Sequence, residues 1–151
     1  MALADDIRLL SQVPLFSQMD GDQLRLIAFG AERRTIGEGQ ALFREHSPAE
    51  CAFVIASGRF QLSTLGRDGH MQAEKEVGSG TLLSELALVT MVERKYTAIA
   101  LQDSDVMKVT RTLFHRLLEE YPRAAQLLQA RIRENLMRMA QAATAMESKF
   151  L

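Results

Sequence analysis

Three features of this sequence predict a mainly β fold with flanking α-helices, of the α+β class. Apolar residues recur at helical spacing up to Phe29, give way at Ala31 to short runs, and return to helical spacing at Thr110. The short runs are separated by glycine-rich punctuation at Gly37-Glu38-Gly39, Ser57-Gly58 and Gly66-Arg67-Asp68-Gly69, where glycine tolerates the positive φ of tight turns. The chain has 151 residues, 47% hydrophobic and 25% charged, an ordinary balance for one folded core. The expected organisation is therefore a single domain over 1–151, with helices in 1–30, a β region in 31–110 that carries an insertion at 78–98, and helices in 111–151.

In order along the chain, Leu9, Leu10, Leu15, Phe16, Leu24, Ile27 and Ala28 fit two short helices interrupted at Pro14 and Asp20-Gly21. Asp20 is placed to cap the second, because its carboxylate can accept from a first-turn amide. Strands are expected at Arg33 to Ile36, Ala41 to Phe43, Ala52 to Ala56, Arg59 to Thr64, Met71 to Val77, Thr97 to Leu101 and Val106 to Val109, with a turn at Asp103-Ser104. Leu113, Phe114, Leu117 and Leu118 then share one helical face, and Pro122 opens a long final helix through about Ser148. Along that helix Leu128, Ile132, Leu136, Met139, Ala143 and Met146 form a stripe.

Composition narrows the function classes. A net charge of -1 lacks the footprint of non-specific nucleic-acid binding, so no direct DNA contact is expected. The single cysteine, Cys51, allows no intrachain disulfide and no four-thiolate cluster, which fits a reducing, cytoplasmic setting. It reads as an inert core residue. Asp5 and Asp6 stand where a secretion signal is basic, and no stretch reaches the roughly 18 apolar residues of a membrane span. His46, His70 and His115 are scattered without metal-ligand spacing. With no nucleophile elbow and no Cys-His pair, the sequence predicts a binding protein and not an enzyme, with no cofactor.

The informative segment is Gly78-Ser79-Gly80-Thr81-Leu82-Leu83-Ser84-Glu85-Leu86-Ala87-Leu88, followed by Glu93-Arg94-Lys95-Tyr96-Thr97-Ala98. It resembles the phosphate-binding cassette of the cyclic nucleotide-binding domain family, which runs Gly-Glu-Leu-Ala-Leu, a short insert, then Arg-Ala-Ala-Thr or Arg-Ser-Ala-Thr. Glu85 and Arg94 are nine residues apart, as in the family. Val13-Pro14-Leu15-Phe16-Ser17 and Phe53-Val54-Ile55-Ala56-Ser57-Gly58 extend the likeness over nearly the whole chain. The resemblance implies an antiparallel β-roll, or jelly roll, with two short N-terminal helices, a cassette helix and a long C-terminal helix. It also implies a purine cyclic nucleotide, cAMP or cGMP, as ligand.

Carried over residue by residue, the ligand-binding set is Ser84, Glu85, Leu86, Ala87, Arg94, Lys95 and Tyr96. A helix starting near Ser84 would aim backbone N–H groups at an anion, Arg94 would grip the cyclic phosphate with its planar fork, and Glu85 would accept from a ribose hydroxyl. Four departures stand beside this. Ser84 and His46 occupy positions where the family has glycine, and Lys95 and Tyr96 replace two small residues after the arginine. Near the positions where the catabolite-activator branch offers hydroxyls to the purine, the final helix has Met139 and Ala140.

Blander readings fit the same residues. Arg94 and Glu85 also suit a solvated pair, Leu82, Leu83, Leu86, Ala87 and Leu88 suit core packing, and Lys95 suits a solvated strand position. Two functions follow: a regulatory module that senses a cyclic nucleotide and signals through its C-terminal helix, or a degenerate relative serving as a dimeric protein-interaction scaffold. A metal-dependent cupin is a third and weaker reading, because no histidine cluster converges. The stripe on the final helix predicts a homodimer, and, taken as full length, a chain that ends at Leu151 is expected to carry no helix-turn-helix.

Overall fold

The structure is a computed structural model that describes the backbone of residues 2–150 and the side chains of residues 3–138, 140 and 141. Helix α1 (Ala2–Ser11), a 3-10 turn at Pro14–Phe16 and helix α2 (Gly21–Gly30) lead into the β region. Asp20 caps α2 as its sequence position predicts: its side chain accepts from the Gln23 N–H while the Gln23 side chain accepts from the Asp20 N–H. Ten strands follow among the described residues: β1 (Glu32–Ile36), β2 (Ala41–Phe43), β3 (Pro48–Ala49), β4 (Cys51–Ser57), β5 (Arg59–Leu65), β6 (Met71–Gly78), β7 (Leu82–Leu83), β8 (Val92–Glu93), β9 (Thr97–Ala100) and β10 (Ser104–Thr110). Helices α3 (Arg111–Glu120) and α4 (Pro122–Phe150) close the chain.

All strand pairs are antiparallel, in two four-stranded sheets ordered β1-β10-β4-β7 and β2-β9-β5-β6, with a short β3-β8 ribbon. This is the mainly antiparallel β-roll with flanking helices that the resemblance implies. Strand β4 explains its layering. Cys51, Phe53 and Ile55 pack with Phe60, Leu62, Ala98 and Val106, whereas Ala52 and Val54 pack with Leu10, Phe16, Ile27, Phe114 and Leu128 from the helices. A strand covered on both faces needs apolar residues at every position, which is why Cys51–Ile55 reads as a continuous apolar run instead of an alternation. β6, at the edge of its sheet, is exposed from Met71 to Glu76 and carries Glu74, Lys75 and Glu76, charges that discourage further strand pairing.

The β4–β5 turn depends on its glycine. Gly58 has φ +96°, and a Cβ there would lie 1.9 Å from Ser104 Oγ and 2.8 Å from the Ser104 Cα, so a side chain is excluded by backbone as well as by conformation. The predicted turn at Asp103-Ser104 differs: Ser104 is already the buried first residue of β10. The three two-residue strands β3, β7 and β8 were too short to show any periodicity in the sequence.

The apolar stripe of α4 divides. Leu128 and Ile132 are buried against the chain's own core, and Arg131 donates to the Pro14 carbonyl and to Ser17 Oγ, pinning this part of α4 to the N-terminal turn. Leu136 and Met137 are 48% and 57% exposed. The side chains of Met139, Ala143 and Met146, on which the rest of the predicted stripe rests, lie outside the described residues.

Candidate ligand-binding site

Segment 78–98 crosses between the sheets and breaks the rules that the strands around it follow. Its expected helix is a single 3-10 turn, Glu85–Leu88, too short for a helix dipole of any size. Ser84 precedes it in the left-handed region at φ 66°, ψ 48°. Ala87 and Val89 donate their N–H groups back to Ser84 and Leu86, and Thr90 also donates to Leu86. Among the described residues the N–H groups of Glu85 and Leu86 have no acceptor.

A cavity of about 790 Å³ lies between this turn, the β8–β9 connection and the β5–β6 wall. Ser84, Glu85, Leu86, Arg94, Lys95 and Tyr96 line it together with Leu62, Thr64, Lys75 and Val77. Six of the seven residues singled out in the sequence thus meet around one space. Ala87 does not: its side chain is fully buried beneath the turn, in keeping with the packing alternative.

Arg94 is the unusual member. It is only 5% exposed, and its guanidinium sits over the rings of Phe43 and Phe53, 4.7 and 5.3 Å from their centroids. Nη1 donates to the Cys51 carbonyl at 2.8 Å and Nη2 contacts Cys51 Sγ at 3.3 Å. No carboxylate among the described residues lies within ion-pair distance of it. The solvated Arg94–Glu85 pair is therefore not formed. A buried cation with aromatic faces and one carbonyl but no counter-ion retains much of its desolvation penalty, and an anion entering the cavity would relieve it.

Glu85 points elsewhere, to α4: Asn135 Nδ2 donates to its Oε2 at 3.0 Å. Lys75 and Lys95 hold their ammonium groups 5.6 and 5.8 Å from the Tyr96 centroid, so Tyr96 is half-buried between two cations at the cavity edge. His46 is the other departure from glycine, with φ 70°. Its ring stands between Glu45 and Glu93 at 3.5 and 3.6 Å.

A sequence profile described as the cyclic nucleotide-binding domain matches residues 33–121, more than half of the chain. The chain belongs to the cyclic nucleotide-binding domain family. Among solved structures it is similar to a cyclic nucleotide-binding-like protein from Brucella abortus, with 41% identity and a TM-score of 0.70 over 76% of this chain and 98% of that one. It also resembles the regulatory domain of Toxoplasma gondii PKA in complex with cAMP, at 28% identity and a TM-score of 0.70, over 76% of this chain and 43% of that one. Among sequences, the lysophospholipase NTE1 of Chaetomium globosum is 33% identical over 96 residues, 64% of this chain. This chain spans only 6% of that protein's length.

Within this cyclic nucleotide-binding domain, the two positions where the family's glycine is replaced, His46 and Ser84, are the two positive-φ non-glycine residues among those described. At both, the backbone is in the left-handed region, which glycine adopts at no steric cost. Sequence reasoning missed three contributors to the site: Cys51, whose carbonyl holds Arg94, Asn135, which holds Glu85, and Arg111, whose side chain binds the cassette from below. Their partners lie 43, 50 and 24 residues away, and no local pattern encodes such pairings. Among the described residues no helix is long and apolar enough to cross a membrane.

Proposed function

We propose that this chain is a regulatory module that binds a purine cyclic nucleotide, cAMP or cGMP, in the Arg94 cavity and reports occupancy through α4. The carrying observation is Arg94, which lines the cavity and whose buried guanidinium has no counter-ion among the described residues. In this reading the cyclic phosphate takes Arg94 and the N–H groups of Glu85 and Leu86, and the ribose hydroxyl takes Glu85. The base lies along Leu62, Val77 and Tyr96, with Ser84, Lys95 and Ala87 shaping the cassette around it. Because Glu85 is already bonded to Asn135, a ribose at Glu85 perturbs a contact made by α4, which gives the two ends of the signal a physical link. The module carries out no reaction of its own, acts in the cytoplasm and makes no direct contact with DNA or membrane.

A thermal-shift panel tests this reading. A ligand that binds only the folded state raises the melting temperature by mass action, so cAMP or cGMP is expected to raise it while 5′-AMP and 5′-GMP at equal concentration do not. No shift with either cyclic nucleotide would overturn the reading.

A second reading, a scaffold that binds no nucleotide, draws on Arg94 being occupied by Cys51 and on the Cβ of Ser84 at a left-handed position. Either reading uses α4 as a dimer interface, because Leu136 and Met137 leave apolar surface on a helix that continues to Phe150. Light scattering at micromolar concentration is expected to give a dimer that Leu136→Glu converts to monomer. A wild-type monomer would remove the interface.

A further inference from the structure

Arg111, the first residue of α3, makes more polar contacts with the cassette region than any residue lining the cavity. Its Nε donates to the Ala87 carbonyl at 2.9 Å, inside the cassette turn. Its Nη2 donates to the Thr90 carbonyl at 2.9 Å and to the Ala49 carbonyl at 3.0 Å, and Nη1 contacts Met91 Sδ at 3.3 Å. Its backbone N–H donates to the Glu50 carbonyl at 3.2 Å. The next carbonyl along, that of Cys51, is the one that accepts from Arg94.

Residues 49–51 therefore form a short strip held by Arg111 at two consecutive carbonyls and by Arg94 at the third. The same Arg111 fork reaches across to both ends of the segment Ala87–Thr90. One planar group with fixed donor directions thus sets how far the cassette turn stands from the strip on which Arg94 is anchored. Ala87 and Ala49 are fully buried, and a buried carbonyl that loses its donor has no water to replace it. Without the fork the turn has reason to shift.

We propose that Arg111 is a positioning residue for ligand binding, fixing the Glu85–Leu88 turn at the spacing from Arg94 that a bound phosphate requires. The proposal rests on the cyclic nucleotide reading for its ligand, but the clamp itself exists in the ligand-free protein. Arg111 is not among the residues lining the cavity of the cassette turn and acts through Ala87, Thr90, Met91 and the 49–51 strip. An ammonium's three donors radiate from one atom and do not reproduce a planar fork that donates from both Nε and Nη2, so lysine is an incomplete replacement.

The experiment compares wild type, Arg111→Met, Arg111→Lys and a core control at Ile27, valine or alanine, chosen to match the melting temperature of Arg111→Met. Amide hydrogen exchange is measured on the ligand-free proteins, and cAMP and cGMP are titrated calorimetrically. Arg111→Met is expected to accelerate exchange at Ala87, Val89 and Thr90 relative to the control and to weaken the preferred nucleotide roughly tenfold or more, with Arg111→Lys between. Exchange at these amides equal to that of the matched control would overturn the clamp whether or not a nucleotide binds. Faster exchange with affinity unchanged from the control would overturn the positioning role. Absence of nucleotide binding by wild type would remove the cyclic nucleotide reading by itself, and the exchange comparison would still decide whether Arg111 holds the cassette.

Discussion

The β4–β5 hairpin and the cassette segment face the same interior yet follow opposite rules. In the hairpin every local choice agrees with the fold: apolar residues where a strand is covered on both faces, and glycine at φ +96° where a Cβ would strike Ser104. In the cassette, serine occupies a left-handed position, the helix is reduced to one turn, and an arginine is buried with no carboxylate partner among the described residues. A chain that is locally consistent almost everywhere and inconsistent in one place has placed a functional demand in that place. The hairpin shows what this sequence does when packing alone decides.

That contrast is open to direct attack. Phe60 is fully buried between the sheets, and Phe60→Ala is expected to remove about 3–5 kcal/mol of stability, through lost burial and the cavity left behind. Denaturant titration measures it, and a loss below ~1 kcal/mol would mean that the inter-sheet core is not where the fold is held. Asn135→Ala is a smaller perturbation at the cassette's contact with α4. A hydrogen bond to a charged acceptor contributes about 1.5–3 kcal/mol when buried, and less at this half-buried site. Stability is expected to fall by roughly 1 kcal/mol, while nucleotide addition ceases to alter amide exchange along α4. Persistence of the nucleotide response in α4 would show that the signal travels by another route.

Ser84→Gly has the smallest expected effect and the opposite sign. A left-handed non-glycine residue carries about 1 kcal/mol of strain, offset in part by the larger unfolded-state entropy of glycine. Stability is expected to stay level or to rise by less than ~1 kcal/mol, and nucleotide affinity to rise with it as the Cβ is removed. A clear loss of stability would mean that the serine side chain has a contact that compensates for its conformation.

What the sequence made legible follows from the range of each interaction. The Asp20 cap, the Pro122 helix start and the strands from Cys51 to Gly78 rest on neighbours within a few residues, so periodicity and turn chemistry were enough to place them. The cassette residues were found by their resemblance to a family motif and meet around one cavity, Ala87 excepted. Their orientations were not legible. Nothing near Arg94 in sequence announces Cys51, and nothing near Glu85 announces Asn135, because these pairs are assembled only when the two sheets and α4 close on one another. The reduction of the cassette helix to one turn is likewise tertiary: the chain leaves Ser84 in a left-handed conformation and must pair Val92 and Glu93 with β3 a few residues later.

In the proposed function Arg94 is buried as a cation in order to meet an anion, and one paired measurement tests this. Calorimetric titration of cAMP and cGMP is carried out on wild type, Arg94→Ala and Arg94→Met, with the melting temperature of each ligand-free protein recorded alongside. Removing a bidentate charge-assisted contact is worth about 3 kcal/mol, or roughly a hundredfold in affinity, so both variants are expected to lose at least that. Methionine can lie over Phe43 and Phe53 without an ionic desolvation penalty, which offsets the loss of the donor to the Cys51 carbonyl, so Arg94→Met is expected to melt close to wild type in the absence of ligand. Equal nucleotide affinity in wild type and variants, or a steep fall in the melting temperature of Arg94→Met, would contradict the account by making Arg94 a structural residue of the core.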